Sequence, residues 1–139
     1  MKGLSIQDLF VGQQEELSRL VTQDDINRFG EVTGDQNPVH HDPEFAANTI
    51  FKKPIAHGIL SAGFISAVIG TKLPGPGSIY LSQNLKFLRP VYPGDEIKAI
   101  ATVRELFPEK NRVLLATECL NQHNETVATG ESLLMPSKL

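Results

Sequence analysis

The chain has 139 residues, of which 40% are hydrophobic and 21% are charged, and its formal net charge is −3. This length suits one domain with one hydrophobic core, and the composition is ordinary for a globular protein. The basic residues are dispersed, with Lys52-Lys53 as the longest run, whereas nucleic-acid-binding proteins usually present a basic stripe.

The N-terminal segment "MKGLSIQDLFVGQQEEL" contains no long apolar region of the kind found in signal peptides. The longest apolar stretch, around residues 54–70, is too short and too rich in Gly and Ser for a membrane span. We therefore expect a cytoplasmic protein without membrane or nucleic-acid partners. No repeat, low-complexity segment or linker divides the chain, so residues 1–139 are predicted to form a single domain.

A strand near Glu15–Val21 is followed by two predicted helices. In "TQDDINRFGEVTG", Thr22 and Asp25 are spaced as in a capping box, and Gly34 ends the pattern. The apolar residues between them recur at nearly helical spacing: Ile26, Phe29 and Val32. In "DPEFAANTIF", Asp42-Pro43 provides an N-cap and a first helical position.

The third helix signal, "AHGILSAGFISAVIG", is of a different kind. Its large apolar residues cover nearly every direction around a helix: Ile59, Leu60, Phe64, Ile65, Val68 and Ile69. A helix that is apolar all round is a buried helix. In a chain of this size, other elements must then wrap around it.

Strand signals dominate the second half of the chain. "SIYLSQNLKFL" alternates, with Ile79 and Leu81 on the apolar face together with Gln83, which would need a polar partner there. A turn at Pro93-Gly94-Asp95 precedes a long strand, and "RVLLATECLNQ" and "ETVATGESLLM" follow as a hairpin. Cys119 lies in this hairpin and is predicted to be a packed core thiol; a single cysteine excludes an internal disulfide and a thiolate zinc site.

Helices grouped before strands indicate the α+β class, here a curved antiparallel β-sheet wrapped around a central buried α-helix. Such a sheet leaves an edge strand and a face to be covered. We expect a homodimer in which two sheets join, since symmetric dimers are the commonest soluble assemblies. A ligand site would lie where the loops meet the start of the buried helix.

The loop "GDQNPVHHDP" holds Asp35 and, five positions later, His40. Asp, Asn, Gly and Pro form loops for structural reasons alone, so this motif is also compatible with a simple turn. His40 follows a proline and precedes a capped helix, which fixes its position, and imidazole is the most frequent general acid–base group. His57-Gly58 stands at the predicted start of the buried helix, where free N–H groups can serve as an oxyanion hole or where glycine can simply ease packing.

Other site chemistries are less well supported. A metal site would use His40, His41, Asp42 and His57, but adjacent side chains diverge and no His-x-x-x-His spacing is present, so we expect no metal. "LPGPGS" lacks the Lys-Ser/Thr ending of a phosphate-binding loop, and no Gly-x-Ser-x-Gly element marks a serine nucleophile. The residues alone therefore indicate an α+β dimer with an acid–base site.

Three segments closely resemble the MaoC-like, (R)-specific enoyl-CoA hydratases (hydratase 2 family) of the hot-dog fold: "TGDQNPVHHDPEFA", "KKPIAHGILSAGFIS" and "GSIYLSQNLKFLRPVYPGD". The similarity extends from about Gln13 to Leu134. The Gly-Asp-x-Asn-Pro-x-His element together with a downstream Ala-His-Gly is a specific combination. The resemblance implies reversible hydration of trans-2-enoyl-CoA to (3R)-3-hydroxyacyl-CoA, with the CoA thioester as substrate and no cofactor.

The resemblance also implies roles for individual residues. Asp35 and His40 would form the catalytic dyad, with either as the base, and the Gly58 N–H would bind the thioester oxygen. Supporting or substrate-binding positions would be Asn37, His57, Ser66, Ile69 and Gln83. Ser66 and Ile69 would set the depth of the acyl site, and both CoA and acyl-carrier-protein esters are compatible with it.

Two other functions remain as alternatives. A hot-dog acyl-CoA thioesterase would hydrolyse the same ester and release free CoA, but it has no use for an Asp-x-x-x-x-His dyad. A non-catalytic acyl-CoA-binding sensor would also not need the dyad, and such proteins often carry an additional domain for which this chain is too short.

Overall fold

A computed structural model describes residues 2–138. Three helices and five strands form the described part of the chain. In chain order they are β1 (Gln14–Leu20), α1 (Gln23–Thr33), α2 (Pro43–Ala47), α3 (Gly58–Thr71), β2 (Ile79–Phe87), β3 (Glu96–Phe107), β4 (Arg112–Leu120) and β5 (Thr126–Met135). Each predicted helix and strand is present within a few residues of its expected bounds.

The strands form one antiparallel sheet in the order β1-β3-β4-β5-β2. The three central strands are joined by short turns, so neighbours in sequence are also neighbours in space: β3 pairs with β4, and β4 with β5. β1 and β2 come from the first half and the middle of the chain and occupy the two edges. The predicted α+β class and antiparallel sheet are confirmed.

Helix α3 packs against one face of this sheet and forms the core with it. Alternate residues of the central strands point toward the helix and are fully or almost fully buried, as period-two side-chain alternation requires. On β3 and β4 these are Ile97, Ala99, Ala101, Val103, Val113, Leu115, Thr117 and Cys119. The small side chains of Ala99 and Ala101 let the helix approach the sheet closely. They face a helix side built from Ile65, Val68 and Ile69.

The prediction that α3 is buried on all sides is wrong for one stripe of the helix in the single chain. Ile59 is 59% exposed, and Gly63, Ser66 and Gly70 are also exposed. These residues recur every three or four positions and therefore share one face. This face of α3 consists of apolar and small residues and forms a surface beside β2, whereas the opposite face of the helix packs on the sheet.

The predicted alternation of side chains between the two faces of β2 is also wrong at the start of the strand. A register shift between Tyr80 and Ser82 marks a β-bulge at Leu81, and an extra residue reverses the facing of every position before it. Tyr80 lies opposite the buried Leu134, and Gln83 lies opposite the buried Ser132. Tyr80 therefore shares the inner face with Gln83, and Ile79 does not.

The helix caps follow the sequence closely. The Thr22 hydroxyl accepts from the Asp25 N–H at 3.1 Å and the Asp25 carboxylate accepts from the Thr22 N–H at 3.1 Å, which is the predicted capping box. Gly34 ends α1 with φ of 81°, a left-handed conformation that glycine adopts without steric cost. The α1 pattern buries Ile26 fully but leaves Val32 84% exposed, so the apolar stripe of this helix is shorter than predicted.

No helix within residues 2–138 has the length and apolar character needed to cross a bilayer. Cys119 is buried in the core, as predicted, and its thiol donates to the Ser61 carbonyl at 3.6 Å. Burial, together with the nearby Glu118 carboxylate, raises the pKa of the Cys119 thiol to about 12. The thiol is therefore protonated at neutral pH and inert as a nucleophile.

Candidate active site

The loop between α1 and α2 is held by its own polar side chains. The Asn37 side chain accepts from the Val39 N–H at 3.2 Å and caps a single 3-10 turn over Pro38–His40. The Asp42 side chain accepts from the Glu44 and Phe45 N–H groups at 3.0 and 3.3 Å and starts α2. Between these two caps, His40 has little freedom to move. Asn37 thus holds this loop through its own side chain.

His40 is 8% exposed and is oriented by hydrogen bonds at two points. Its Nδ1 lies 2.8 Å from the Ile55 carbonyl, which can only accept, so Nδ1 carries the proton. Its backbone carbonyl accepts from the Gln23 side-chain amide at 3.0 Å. In the neutral ring Nε2 then has a free lone pair, which is the state that a general base requires.

Asp35 is exposed at the mouth of the same loop. One carboxylate oxygen accepts from the Asn37 N–H at 3.3 Å, and the backbone N–H donates to the Thr33 hydroxyl at 3.2 Å. The Asp35 backbone carbonyl accepts from His57 Nε2 at 3.1 Å and lies 3.3 Å from His41 Nε2. The loop therefore anchors the main chain of Asp35 and leaves its carboxylate facing solvent.

The fold brings Asp35, His40 and His57 together. One carboxylate oxygen of Asp35 and one ring nitrogen from each histidine all lie within 4.8 Å of one another. A single water can bridge groups at this spacing, which suits a carboxylate and an imidazole that act on one water molecule. The three groups are also of the types that bind a metal ion. The metal site considered from the sequence consisted of His40, His41, Asp42 and His57, of which only His40 and His57 belong to this cluster.

His57 is the innermost residue of this cluster and is 3% exposed. Its ring packs on that of His40, with centroids 3.8 Å apart and planes 32° apart, and its centroid lies 4.7 Å from that of the Phe29 ring. Burial lowers the pKa of His57, while the hydrogen bond to the Asp35 carbonyl partly raises it. His57 Nδ1 is buried and has no hydrogen-bond partner among the described residues.

Gly58 is the first residue of α3, as predicted. The N–H groups at the start of a helix have no partner within the helix and lie at the positive end of its dipole. No described residue accepts a hydrogen bond from the Gly58 N–H. A Cβ atom at this position would lie 2.9 Å from the half-exposed ring of Phe87, which would have to shift. Glycine therefore eases packing here and leaves its N–H accessible. The oxyanion-hole and packing explanations are therefore compatible.

Two cavities adjoin the start of α3. The Gly58 cavity has a volume of about 530 Å³ and is lined mainly by apolar residues. Gly58, Phe87 and the charged Arg89 also belong to its lining. The Ser66 groove, of about 420 Å³, lies between the exposed stripe of α3 and β2. Ile59 lines both. Ser66 faces this groove, whereas Ile69 is 2% exposed and packs in the core one turn further along the helix.

Gln83 has the polar partners that its place on the inner face requires. Its side-chain nitrogen donates to the Thr117 hydroxyl at 3.1 Å and the Asn84 carbonyl at 2.8 Å. Its side-chain oxygen accepts from the hydroxyl groups of Tyr80 and Ser132. We call Tyr80, Gln83, Thr117 and Ser132 the Gln83 network. The sequence indicated the need for partners but not their identities, because they come from three strands and the β2 bulge.

An antiparallel sheet against a buried helix, with a carboxylate and an imidazole beside the free N–H groups of that helix, defines an acid–base enzyme site on a hot-dog fold. Residues 11–124 match the MaoC-like domain family, so the chain belongs to this family. The predicted family and fold are confirmed.

Curated relatives and a solved structure are similar over almost the whole chain. An (R)-specific enoyl-CoA hydratase of Rhodospirillum rubrum is 46% identical over 93% of this chain and 89% of the relative. A 3-hydroxybutyryl-CoA dehydratase of Methylorubrum extorquens is 45% identical over 99% of this chain and 87% of the relative. The unliganded R-hydratase PhaJ1 of Pseudomonas aeruginosa superposes with a TM-score of 0.93 at 46% identity, covering 99% of this chain and 88% of that one.

Proposed function

We propose that this protein is an (R)-specific enoyl-CoA hydratase, a hydro-lyase that reversibly adds water to trans-2-enoyl-CoA and forms (3R)-3-hydroxyacyl-CoA. The hydratase and dehydratase relatives, 45–46% identical over nearly the full chain, support the reaction class. The observation that carries the proposal in this molecule is the grouping of Asp35, His40 and His57 within 4.8 Å at the start of α3.

Hydration of a conjugated thioester requires three groups: a base for water, an acid for Cα and a stabiliser for the enolate. Asp35 and His40 would hold one water between them. As the water oxygen bonds to Cβ, one member of the pair takes the released proton, and the pair returns one proton to Cα. General acid–base catalysis of this kind supplies about 10²- to 10⁴-fold.

The enolate charge develops on the thioester oxygen, away from the dyad. The Gly58 N–H, free and at the positive end of α3, is the donor that would stabilise this charge. One well-placed donor contributes roughly 3 kcal/mol to the transition state. The two contributions are separate because Asp35 and His40 act on the water and on Cα, whereas Gly58 acts on the carbonyl.

The substrate would place its thioester at Gly58, where the two cavities meet at Ile59. The acyl chain would lie in the Ser66 groove along the exposed stripe of α3, and the Gly58 cavity would hold the arm that carries the thioester. Under this arrangement Ser66 contacts the chain directly, whereas Ile69 packs in the core and does not line the groove. CoA and acyl-carrier-protein esters share the same arm and both fit this placement. The reaction as proposed needs no metal or other cofactor.

We also propose that the protein acts as a homodimer joined at β2. β2 is an edge strand with exposed apolar side chains on it and just after it, including Ile79 (52%), Leu81 (41%) and Leu88 (52%). The opposite edge, β1, carries Glu15, Glu16 and Arg19, and charged edges resist pairing. Sedimentation of the wild type should give a dimer mass, and Leu81→Lys should shift it toward the monomer. A monomeric wild type would refute the proposal.

The decisive experiment for the reaction follows loss of the ultraviolet absorbance of the conjugated thioester when crotonyl-CoA or octenoyl-CoA is added. An (R)-specific dehydrogenase then tests the chirality of the product. Loss of absorbance with (R)-product supports the hydratase. Release of free CoA without hydration identifies a thioesterase instead, and binding without turnover identifies an acyl-CoA sensor. The cytoplasmic location stays a prediction from the sequence, and cell fractionation tests it.

A further inference from the structure

His57 makes three contacts in the candidate active site, although it is not a member of the acid–base pair. Its Nε2 donates to the Asp35 carbonyl at 3.1 Å. One ring face lies 3.8 Å, between centroids, from His40, and Phe29 contacts the ring at 4.7 Å. His57 therefore contacts Asp35 through a hydrogen bond and His40 through its ring. His41 Nε2 also lies 3.3 Å from the Asp35 carbonyl, but the His41 ring centroid is 6.1 Å from that of His40.

The hydrogen bond assigns the tautomer of His57. A carbonyl can only accept, so Nε2 carries the proton and Nδ1 of the neutral ring carries a lone pair. This Nδ1 is buried and is the only buried side-chain nitrogen or oxygen within residues 2–138 that lacks a hydrogen-bond partner. Buried polar atoms are normally paired, so an exception calls for an explanation other than stability.

We propose that His57 is a positioning residue of the hydration reaction, which sets the spacing between Asp35 and His40 by bonding the main chain of one and stacking on the ring of the other. This inference rests on the proposed function. Burial also lowers the pKa of His57 and keeps the ring neutral, so that it adds no positive charge beside His40. The neutral ring provides the donor without competing for the proton that the dyad transfers.

Two variants separate the hydrogen bond from the packing. His57→Phe keeps a flat ring beside His40 and Phe29, removes the His57 donor to the Asp35 carbonyl and removes the unpartnered Nδ1. His57→Gln provides an N–H at similar reach and removes the ring. If His57 served stability alone, activity would follow the melting temperature in both variants.

We expect the opposite pattern. The Phe variant should melt at the same temperature as the wild type or a few degrees higher, because a buried unpaired nitrogen has been removed. Its kcat for crotonyl-CoA should nevertheless fall by about 10- to 100-fold with KM within about twofold, since a misplaced acid–base pair slows chemistry without weakening binding. The Gln variant should recover most of the lost kcat. A Phe variant at wild-type kcat, or a Gln variant no faster than the Phe variant, would overturn the proposal.

Hydrogen exchange provides a test that does not depend on turnover. In the Phe variant, the amides of the Asp35–His40 loop should exchange faster than in the wild type, whereas amides of β3 and β4 should not change. Unchanged loop exchange would also overturn the role of His57. If the wild type hydrates no enoyl thioester, the proposed function fails, and the exchange comparison still decides whether His57 holds the loop.

Discussion

Two polar clusters of this molecule differ in their hydrogen bonding. In the Gln83 network, the side-chain amide uses both of its donors and both of its acceptor positions on four partners. In the cluster of Asp35, His40 and His57, one buried ring nitrogen is unpaired and the carboxylate faces solvent.

The difference indicates which cluster holds the structure and which performs chemistry. A polar network whose central amide is fully paired fixes one arrangement of the strands, and the Gln83 amide has no donor or acceptor position left to offer a ligand. A cluster with an open carboxylate, a free imidazole lone pair and unpaired helix N–H groups has unused capacity that a substrate can take up. Changes in the Gln83 network should therefore alter stability, and changes in the other cluster should alter turnover.

The largest expected effect comes from the acid–base pair. Asp35→Asn and His40→Gln should each lower kcat by about 10²- to 10⁴-fold, because each removes a proton-transfer group. Stability should change little for Asp35→Asn, since Asp35 is exposed. Turnover of crotonyl-CoA, with circular dichroism to confirm folding, measures both.

Matched controls exist for both changes. Asp42→Asn makes the same chemical change in the same loop and keeps the helix cap, because Asn caps as well as Asp. His123→Gln makes the same change in the exposed hairpin before β5. Both controls should keep wild-type turnover. Near wild-type activity in either dyad variant would refute the assignment of that residue.

The next effect concerns the helix start. Gly58→Ala should lower kcat by at least about tenfold, because the new Cβ crowds the N–H and displaces the Phe87 ring. The loss should be smaller than the roughly 10²- to 10³-fold loss that follows complete removal of an oxyanion donor. Gly70→Ala is the control, since it lies on the same helix with open space around its Cβ. An unchanged kcat in the Gly58 variant would remove this N–H from the mechanism.

A substitution in the Gln83 network is expected to lower stability and to have no direct effect on catalysis. Gln83→Leu leaves the hydroxyl groups of Tyr80, Thr117 and Ser132 without their shared partner, which should lower the free energy of unfolding by about 1–3 kcal/mol. Urea unfolding measures this change, with Gln7→Leu as an exposed control. A Gln83 variant as stable as the wild type would show that the network contributes nothing to the fold.

The smallest effect is the pH dependence of stability at His57. Burial lowers the pKa of folded His57 below its ordinary value of 6.5, so the unfolded chain takes up a proton first as the pH falls. The contribution of His57 to the free energy of unfolding is therefore complete above about pH 6.5, and it is lost as the pH drops below that value. We therefore expect the unfolding free energy of the wild type to fall more steeply than that of His57→Phe as the pH is lowered from neutral to mildly acidic. Parallel curves would contradict the burial effect.

Local sequence signals predicted much of the fold. The Thr22–Asp25 capping box, the Gly34 stop, the Asp42-Pro43 start and the five strands all depend on neighbouring residues, so a single sequence suffices to recognise them. The candidate pair Asp35 and His40 was identifiable because both residues lie in one short loop, and Gly58 because it begins an apolar helix.

Tertiary structure decided the features that involve residues far apart in sequence. The bulge at Leu81 turned Tyr80 inward, and only strand pairing with β5 reveals it. The exposed stripe of α3 carries apolar residues such as Ile59, so its composition resembles that of a buried face.

The contacts of His57 likewise depend on the tertiary fold. They join positions 57 and 35, which are 22 residues apart. The sequence by itself determined the elements and the chemical groups of this protein, because caps, turns and side-chain periodicity are local. Only the folded chain decided which groups are paired and which remain available for chemistry, because pairing depends on distances across the fold.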